Sequence, residues 1–324
     1  MHTILLSHPL YQPGMDALAG KANVIIPNDG DSDHILEQLK KVDGFILRIG
    51  KIDRKAIEAC PNLRVITRPG VGVDNVDVAA ATEKGIPVVI CPAANSRAVA
   101  EHAVALMFAL AKNLVESDNE TRKGNFGIRN KYAALELVDK TVSVIGFGNI
   151  GKIVARLCAS IGMKIAIYDP FINTKAIEAL GYLPVETIEE AVALGDFVTL
   201  HMPSLPETKN LMNETLFRLM KPTAFLVNCA RGDIVDETAL LEALAEKRIA
   251  GAGVDVLSVE PMKAENPIMR MANLIVTPHM AAQTRESTAA VVQMAVEGTL
   301  AVLEGVKWPN VCNPQAYNHT RWAK

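Results

Sequence analysis

Arg231, Glu260 and His279 are the side chains in this sequence whose type and placement point most directly to chemistry, because each stands a few positions past a short apolar run. In open parallel sheets such positions lie at the carboxyl edge, where ligands bind. Arg231 sits in NCARG at 228–232, after the run at 223–227, and its planar guanidinium suits a carboxylate and a neighbouring carbonyl. His279 follows the run at 274–277 and Pro278; imidazole is the side chain best matched to proton transfer near neutral pH. Glu260 follows the run at 253–256 and precedes Pro261. A carboxylate paired with an imidazole raises its pKa, each unit being worth about 1.4 kcal/mol of preference for the imidazolium. A proton donor and acceptor beside a cation is what interconversion of an alcohol and a ketone requires.

The elements that must position these groups are announced by TVSVIGFGNIG at 141–151, an apolar β-type run that ends on Gly146, Gly148 and Gly151 and then turns helical at Asn149. Gly146 fits the tight turn, Gly148 the close approach of backbone to a pyrophosphate, and Gly151 the packing of helix on strand. The helix start offers free N–H groups and a positive dipole end to phosphates. The next run, 164–168, delivers Asp169 at the spacing of a carboxylate that accepts the ribose hydroxyls. That carboxylate would repel a 2′-phosphate, so the expected cofactor is NAD. Asp169 before Pro170 also has the residue type of a plain strand-end turn.

A chain of 324 residues is long for a single core and fits two domains. The 33 basic residues are matched by 36 acidic ones and scattered, so no polyanion-binding surface and no nucleic-acid partner are expected. The N-terminus lacks the basic and apolar regions of a signal peptide, and the apolar stretch 103–111 is too short for a membrane span, which leads us to expect a cytoplasmic protein off the membrane. Cysteines 60, 91, 158, 229 and 312 form no CxxC pair; reduced core thiols are expected, without disulfide or metal.

Short β-branched runs alternate with helical stretches throughout, which predicts an α/β protein with two doubly wound parallel-sheet domains, a flavodoxin-like substrate domain and a Rossmann NAD-binding domain with an interdomain cleft. Strands are expected at 3–7, 23–26, 44–48, 64–67 and 87–90, and then near 142–145, 164–168, 197–200, 224–228, 252–255 and 274–277. One long helix is expected from Ser96 to about Glu116, an exposed arm at 123–134, and a final helix at about 281–303 returning to the first domain. The boundaries follow as 1–96 plus 285–324 for the substrate domain and 97–284 for the NAD-binding domain.

With the glycine motif, the ordered segments RPGVGVDNVD (68–77), NSRAVAEH (95–102), HMPSLPET (201–208), NCARGDIVDETAL (228–240), GVDVLSVEP (253–261) and TPH (277–279) make nearly the whole chain resemble the D-isomer-specific 2-hydroxyacid dehydrogenases. The resemblance implies that Arg231, Glu260 and His279 are the catalytic set, with His279 as proton donor in reduction and base in oxidation, Glu260 tuning it, and Arg231 holding the 2-oxo acid. It implies cofactor contacts at Gly146, Gly148, Asn149, Ile150, Gly151, Asp169, His201, Pro203, Thr208, Cys229, Asp255 and Ala281, Asp255 meeting the nicotinamide carboxamide. His201 is then not the proton donor, and His102 is expected only to pack. The turn 69–72 makes independent sense as an anion nest of successive N–H groups, and the resemblance places the substrate carboxylate on the backbone of Val71 and Gly72.

Within the family, the chain is most similar to the phosphoglycerate dehydrogenase branch, which implies D-3-phosphoglycerate as substrate with Arg48 and Arg68 toward its phosphate end; the C-terminal regulatory domain found in many members of that branch is not expected. Alternatives are glyoxylate or hydroxypyruvate reduction, and an NAD-sensing corepressor-like binding protein. The departures are Ile49 and Gly50 for small polar residues, Phe126 for a frequent tryptophan, Asp233 for a glycine, and Ala281 for a glycine, whose extra methyl could shift the nicotinamide or narrow its pocket. The arm region implies a homodimer, the default oligomer.

Overall fold

The computed structural model describes residues 1–27, 32–131 and 133–323. The chain forms two compact units, residues 1–95 with 284–324 and residues 96–283.

The first unit is built on a five-stranded sheet of β1 (Thr3–Leu6), β2 (Asn23–Ile25), β3 (Gly44–Ile46), β4 (Val65–Thr67) and β5 (Val88–Val89), ordered β2-β1-β3-β4-β5 and parallel throughout. Its central strands are buried on both faces, which is why they read as continuous apolar runs without alternation. The helix Arg285–Leu303 covers one face of this sheet; Thr284 caps it by accepting the Ser287 N–H, so it begins four residues later than expected from Ala281. Gly14 lets the helix Gln12–Leu18 approach it, since a Cβ there would lie 2.9 Å from that of Val292. The C-terminal segment then closes the β5 edge: Val311 bridges Val89, and the Asn313 amide accepts the Val88 N–H while donating to the Ile86 carbonyl.

The second unit has a seven-stranded parallel sheet of β6 (Thr141–Ile145), β7 (Lys164–Tyr168), β8 (Leu183–Pro184), β9 (Phe197–Leu200), β10 (Phe225–Asn228), β11 (Gly251–Val254) and β12 (Leu274–Val276), ordered β12-β11-β10-β9-β6-β7-β8. The two-residue edge strand β8 is missing from the sequence-based list because so short a run carries no periodicity. The chain runs outward from β6 in one direction and returns to β9 on the other side, which makes the β6/β9 boundary the topological switch point. The corresponding boundary in the first unit lies between β1 and β3.

The expected single helix from Ser96 to Glu116 is two helices, Ser96–Ala111 and Leu114–Arg122, bent by 59°. Asn113 stands at the break with φ +50°, a left-handed conformation that stops the first helix. No single helix among the described residues is long and apolar enough to cross a membrane, although the bent pair passes by length and composition. The arm contains a short 3-10 turn, Phe126–Lys131, with Phe126 exposed and Arg129 over its ring; Tyr132 of the expected arm lies outside the described residues. All five cysteines are free, and among the described residues no cluster of His, Cys, Asp and Glu suits a metal.

Candidate active site

At the switch point of the second unit, each glycine of the fingerprint has a different physical reason. Gly146 has φ +95°, and a Cβ there would lie 2.9 Å from the backbone of His201 at the end of β9. A Cβ on Gly151 would stand 2.1 Å from the Gly146 carbonyl oxygen, so only glycine lets the helix Asn149–Ser160 start this close to the turn. A Cβ on Gly148 would meet nothing within 4 Å among the described residues; the space where it would project is open. Gly148 and Asn149 are exposed, Ile150 is half-buried, and no side chain caps the helix, which leaves its first N–H groups facing outward from the switch point.

Asp169 directly follows β7 and accepts the N–H of Phe147 at 2.7 Å and of Phe171 at 2.9 Å. It is therefore both a turn residue and a carboxylate held beside the glycine turn, and the two sequence readings describe one side chain. His201 donates its N–H to the Ile145 carbonyl and shares a 2.9 Å contact between Nε2 and Thr199 Oγ1. Burial of its ring pulls the pKa down to about 3, so it stays neutral and is unsuited to donating a proton. Its Nδ1 is buried and has no hydrogen-bond partner among the described residues. Pro203 is exposed; Thr208 caps the following turn, accepting the Leu205 N–H and donating to the Pro203 carbonyl. Asp233, at the position of a common family glycine, accepts from Ser204 Oγ at 2.7 Å and ties this loop to the segment after β10.

The segments that follow β10, β11 and β12 carry Arg231, Glu260 and His279. Asn228 shapes the turn after β10, accepting the Ala230 N–H and donating to the Arg231 carbonyl; Arg231 donates in turn to the Ala230 carbonyl. Cys229 is buried, and burial chiefly, then the Asp255 charge, push its thiol well above the usual range, so it is inert. Gly232 lies under the next loop: a Cβ there would sit 2.0 Å from the Leu257 carbonyl oxygen. Glu237 fastens the same loop, accepting from Ser258 N and Oγ and from Asn266 Nδ2.

From that loop Glu260 reaches His279, its Oε2 lying 2.7 Å from Nδ1. The hydrogen bond to Glu260 raises the His279 pKa against the opposing effect of burial, the Glu260 and Asp255 charges add to it, and the nearby Arg231 lowers it. With Nδ1 engaged, Nε2 is the nitrogen available to a substrate oxygen. His279 has φ +51°, and Asp255 holds this bend by taking three successive N–H groups: His279 N on its carbonyl, Met280 N on Oδ1 and Ala281 N on Oδ2. Ala281 is 4% exposed and packs in a core cluster. His102 does more than pack, contrary to expectation: its Nε2 lies 3.0 Å from Thr277 Oγ1, which donates to Asp255 Oδ1 at 2.5 Å.

In the first unit, Arg68 ends β4 and hydrogen-bonds three backbone carbonyls, Gly72 through Nε and Leu47 and Arg48 through Nη1. It braces the 69–72 turn against the segment after β3. Val71 is 48% exposed on that turn. Arg48 donates its N–H to Ser7 Oγ and one guanidinium N–H to the Pro9 carbonyl. Asn228, Thr277, His102, Glu237 and Ser204 were not singled out as site residues from the sequence. Asn228 opens the segment that carries Arg231 and could have been found there; the others acquire meaning only from their partners.

Comparison with known proteins gives the family. The family model described as the NAD binding domain of D-isomer specific 2-hydroxyacid dehydrogenases matches residues 104–281. A D-3-phosphoglycerate dehydrogenase of Methanocaldococcus jannaschii is 40% identical over 97% of this chain and 60% of its own length. Another, of Archaeoglobus fulgidus, is 35% identical over 96% of this chain and 59% of its own length, so this chain spans about three-fifths of these relatives. The solved structure of the TT0316 protein of Thermus thermophilus superposes with a TM-score of 0.89 at 32% identity, covering 96% of this chain and 99% of that one.

Proposed function

We infer the reaction from one premise: this chain belongs to the D-isomer-specific 2-hydroxyacid dehydrogenase family. It interconverts a small D-2-hydroxy acid and its 2-oxo acid at C2 with NAD, and D-3-phosphoglycerate is the leading substrate because relatives at 35–40% identity carry that name. The observation that carries the reading is the 2.7 Å pair of His279 and Glu260 on the strand edge that also bears the glycine turn and Arg231.

The switch point fits a dinucleotide: Gly148 leaves open space, the helix start lacks a side-chain cap, and Asp169 stands beside the turn. NAD supplies the hydride acceptor or donor. The protein's own residues do the rest. Gly148, Asn149, Ile150 and Gly151 offer backbone donors to the pyrophosphate and Asp169 accepts from the ribose. Arg231 holds the carboxylate and polarises the C2 oxygen, and His279 Nε2 gives a proton to that oxygen or removes it. Glu260 holds the imidazole by Nδ1 and stabilises its charged form. Within the first unit, the backbone N–H groups of Val71 and Gly72 suit an anion, and Arg68 keeps their turn in shape.

Initial rates with NADH and NADPH against glyoxylate, hydroxypyruvate, pyruvate and 2-oxoglutarate, and with D-3-phosphoglycerate plus NAD in reverse, test this. Preference for phosphoglycerate supports the leading substrate; tight NADH binding without turnover of any acid would favour a sensor. We also propose a homodimer, supported by Phe108, Leu114, Val115 and Phe126, apolar and exposed on the two bent helices and the arm. A monomeric mass at micromolar concentration would exclude it.

A further inference from the structure

His102, Thr277 and Asp255 form a directed chain in the second unit. Thr277 Oγ1 lies 2.5 Å from Asp255 Oδ1, and a carboxylate can only accept, so the hydroxyl proton points to Asp255. The hydroxyl then has lone pairs for His102 Nε2 at 3.0 Å, which fixes Nε2 as the protonated nitrogen. Asp255 is 1% exposed, and apart from Thr277 its side-chain oxygens receive the Met280 and Ala281 N–H groups. The histidine Nε2 itself lies 3.7 Å from that carboxylate. A buried carboxylate must be held by donors or lose its charge, and here the outermost donor is on the helix Ser96–Ala111, far in sequence from the loop it serves.

We propose that His102 is a positioning residue for His279, acting through Thr277 and Asp255. The proposal rests on the proton-transfer reading of His279. Aligned donors keep the Asp255 carboxylate aimed; Asp255 in turn grips three consecutive N–H groups and so holds the left-handed turn that presents the imidazole. Around Asp255 the titratable neighbours are His102, Cys229 and His279; around His279 they are Glu260, Asp255 and Arg231.

The test uses His102→Phe, Thr277→Val, their double variant, and two variants that retain a donor, His102→Gln and Thr277→Ser. With the best 2-oxo acid of the panel and saturating NADH, His102→Phe and Thr277→Val should each lower kcat by roughly tenfold, the kinetic equivalent of one hydrogen bond. The double variant should be no worse than either single one, because both break one chain. Thr277→Ser should stay within about twofold of the parent and His102→Gln should recover most of the loss. The His279 ring titration, followed by NMR, should move down in His102→Phe and Thr277→Val alike, and stay in place in Thr277→Ser. Additive losses, a parental kcat in Thr277→Val, or kcat losses with the His279 titration unmoved would overturn the linkage. If His102→Phe does not fold, the Thr277 pair decides. A parent protein that turns over no 2-oxo acid would instead remove the functional reading, and the titration arm would still decide whether the chain governs His279.

Discussion

The two topological switch points are built alike and finished differently. In the second unit the boundary between β6 and β9 carries Gly146 and an uncapped helix start, so backbone donors face an open space beside Gly148. In the first unit the boundary between β1 and β3 is occupied by its own side chains: buried Ser7 Oγ accepts the N–H groups of both Arg48 and Ile49, and Arg48 reaches back to the Pro9 carbonyl. Parallel-sheet topology creates a ligand edge in both units, but glycine decides which edge has donors left over. The glycine-bearing turn of the first unit, 69–72, follows β4 instead, where Arg68 braces it.

The sharpest test of the second unit's role is His279→Ala. It should cut turnover roughly 100- to 10,000-fold, the worth of general acid–base catalysis, with NADH affinity retained; near-normal turnover would take proton transfer away from this edge. Gly146→Ala should lower NADH affinity by roughly tenfold or more in equilibrium titration, since the residue is at φ +95° and its methyl would press on the His201 backbone. Unchanged affinity would break the contrast between the two switch points.

Glu260→Gln sharpens the same region through pH. Glu260 is the main cause of the raised His279 pKa, so the variant's pKa should fall. Reduction requires protonated His279 and declines as pH rises through that pKa, so its decline should move to lower pH. Oxidation requires the neutral ring, and its rise should move to lower pH as well. A pH–rate profile that stays in place would separate Glu260 from His279.

The smallest kinetic effect is expected from Ser7→Ala. Removing the hydroxyl orphans two N–H groups beside a buried site and should cost about 1–3 kcal/mol of stability in denaturant unfolding. NADH affinity should be unchanged; a large loss would mean that the first switch point also serves the cofactor.

Much of this organisation was legible because parallel strands buried on both faces are written as apolar runs, and five of the first unit's strands begin within a residue of where those runs begin. The breaks were less legible. Lys112 and Asn113 interrupt an apolar helix without glycine or proline, and β8 is two residues held by its neighbour β7. Asp169 could be placed from spacing, but its bond to the Phe147 N–H, which joins two strand ends, could not.

By itself the sequence determined the βα alternation, the glycine turn and the strand-end positions of Arg231, Glu260 and His279, because these follow from local periodicity and from conformations that only glycine tolerates. The tertiary structure decided which side chains meet. That Glu260 bonds Nδ1, that Asp255 takes three N–H groups at a left-handed histidine, and that His102 belongs to this network through Thr277 depend on contacts between residues 19 to 175 positions apart. No local pattern encodes such pairings, because the free energy that favours them comes from burying a carboxylate only where donors from several elements converge.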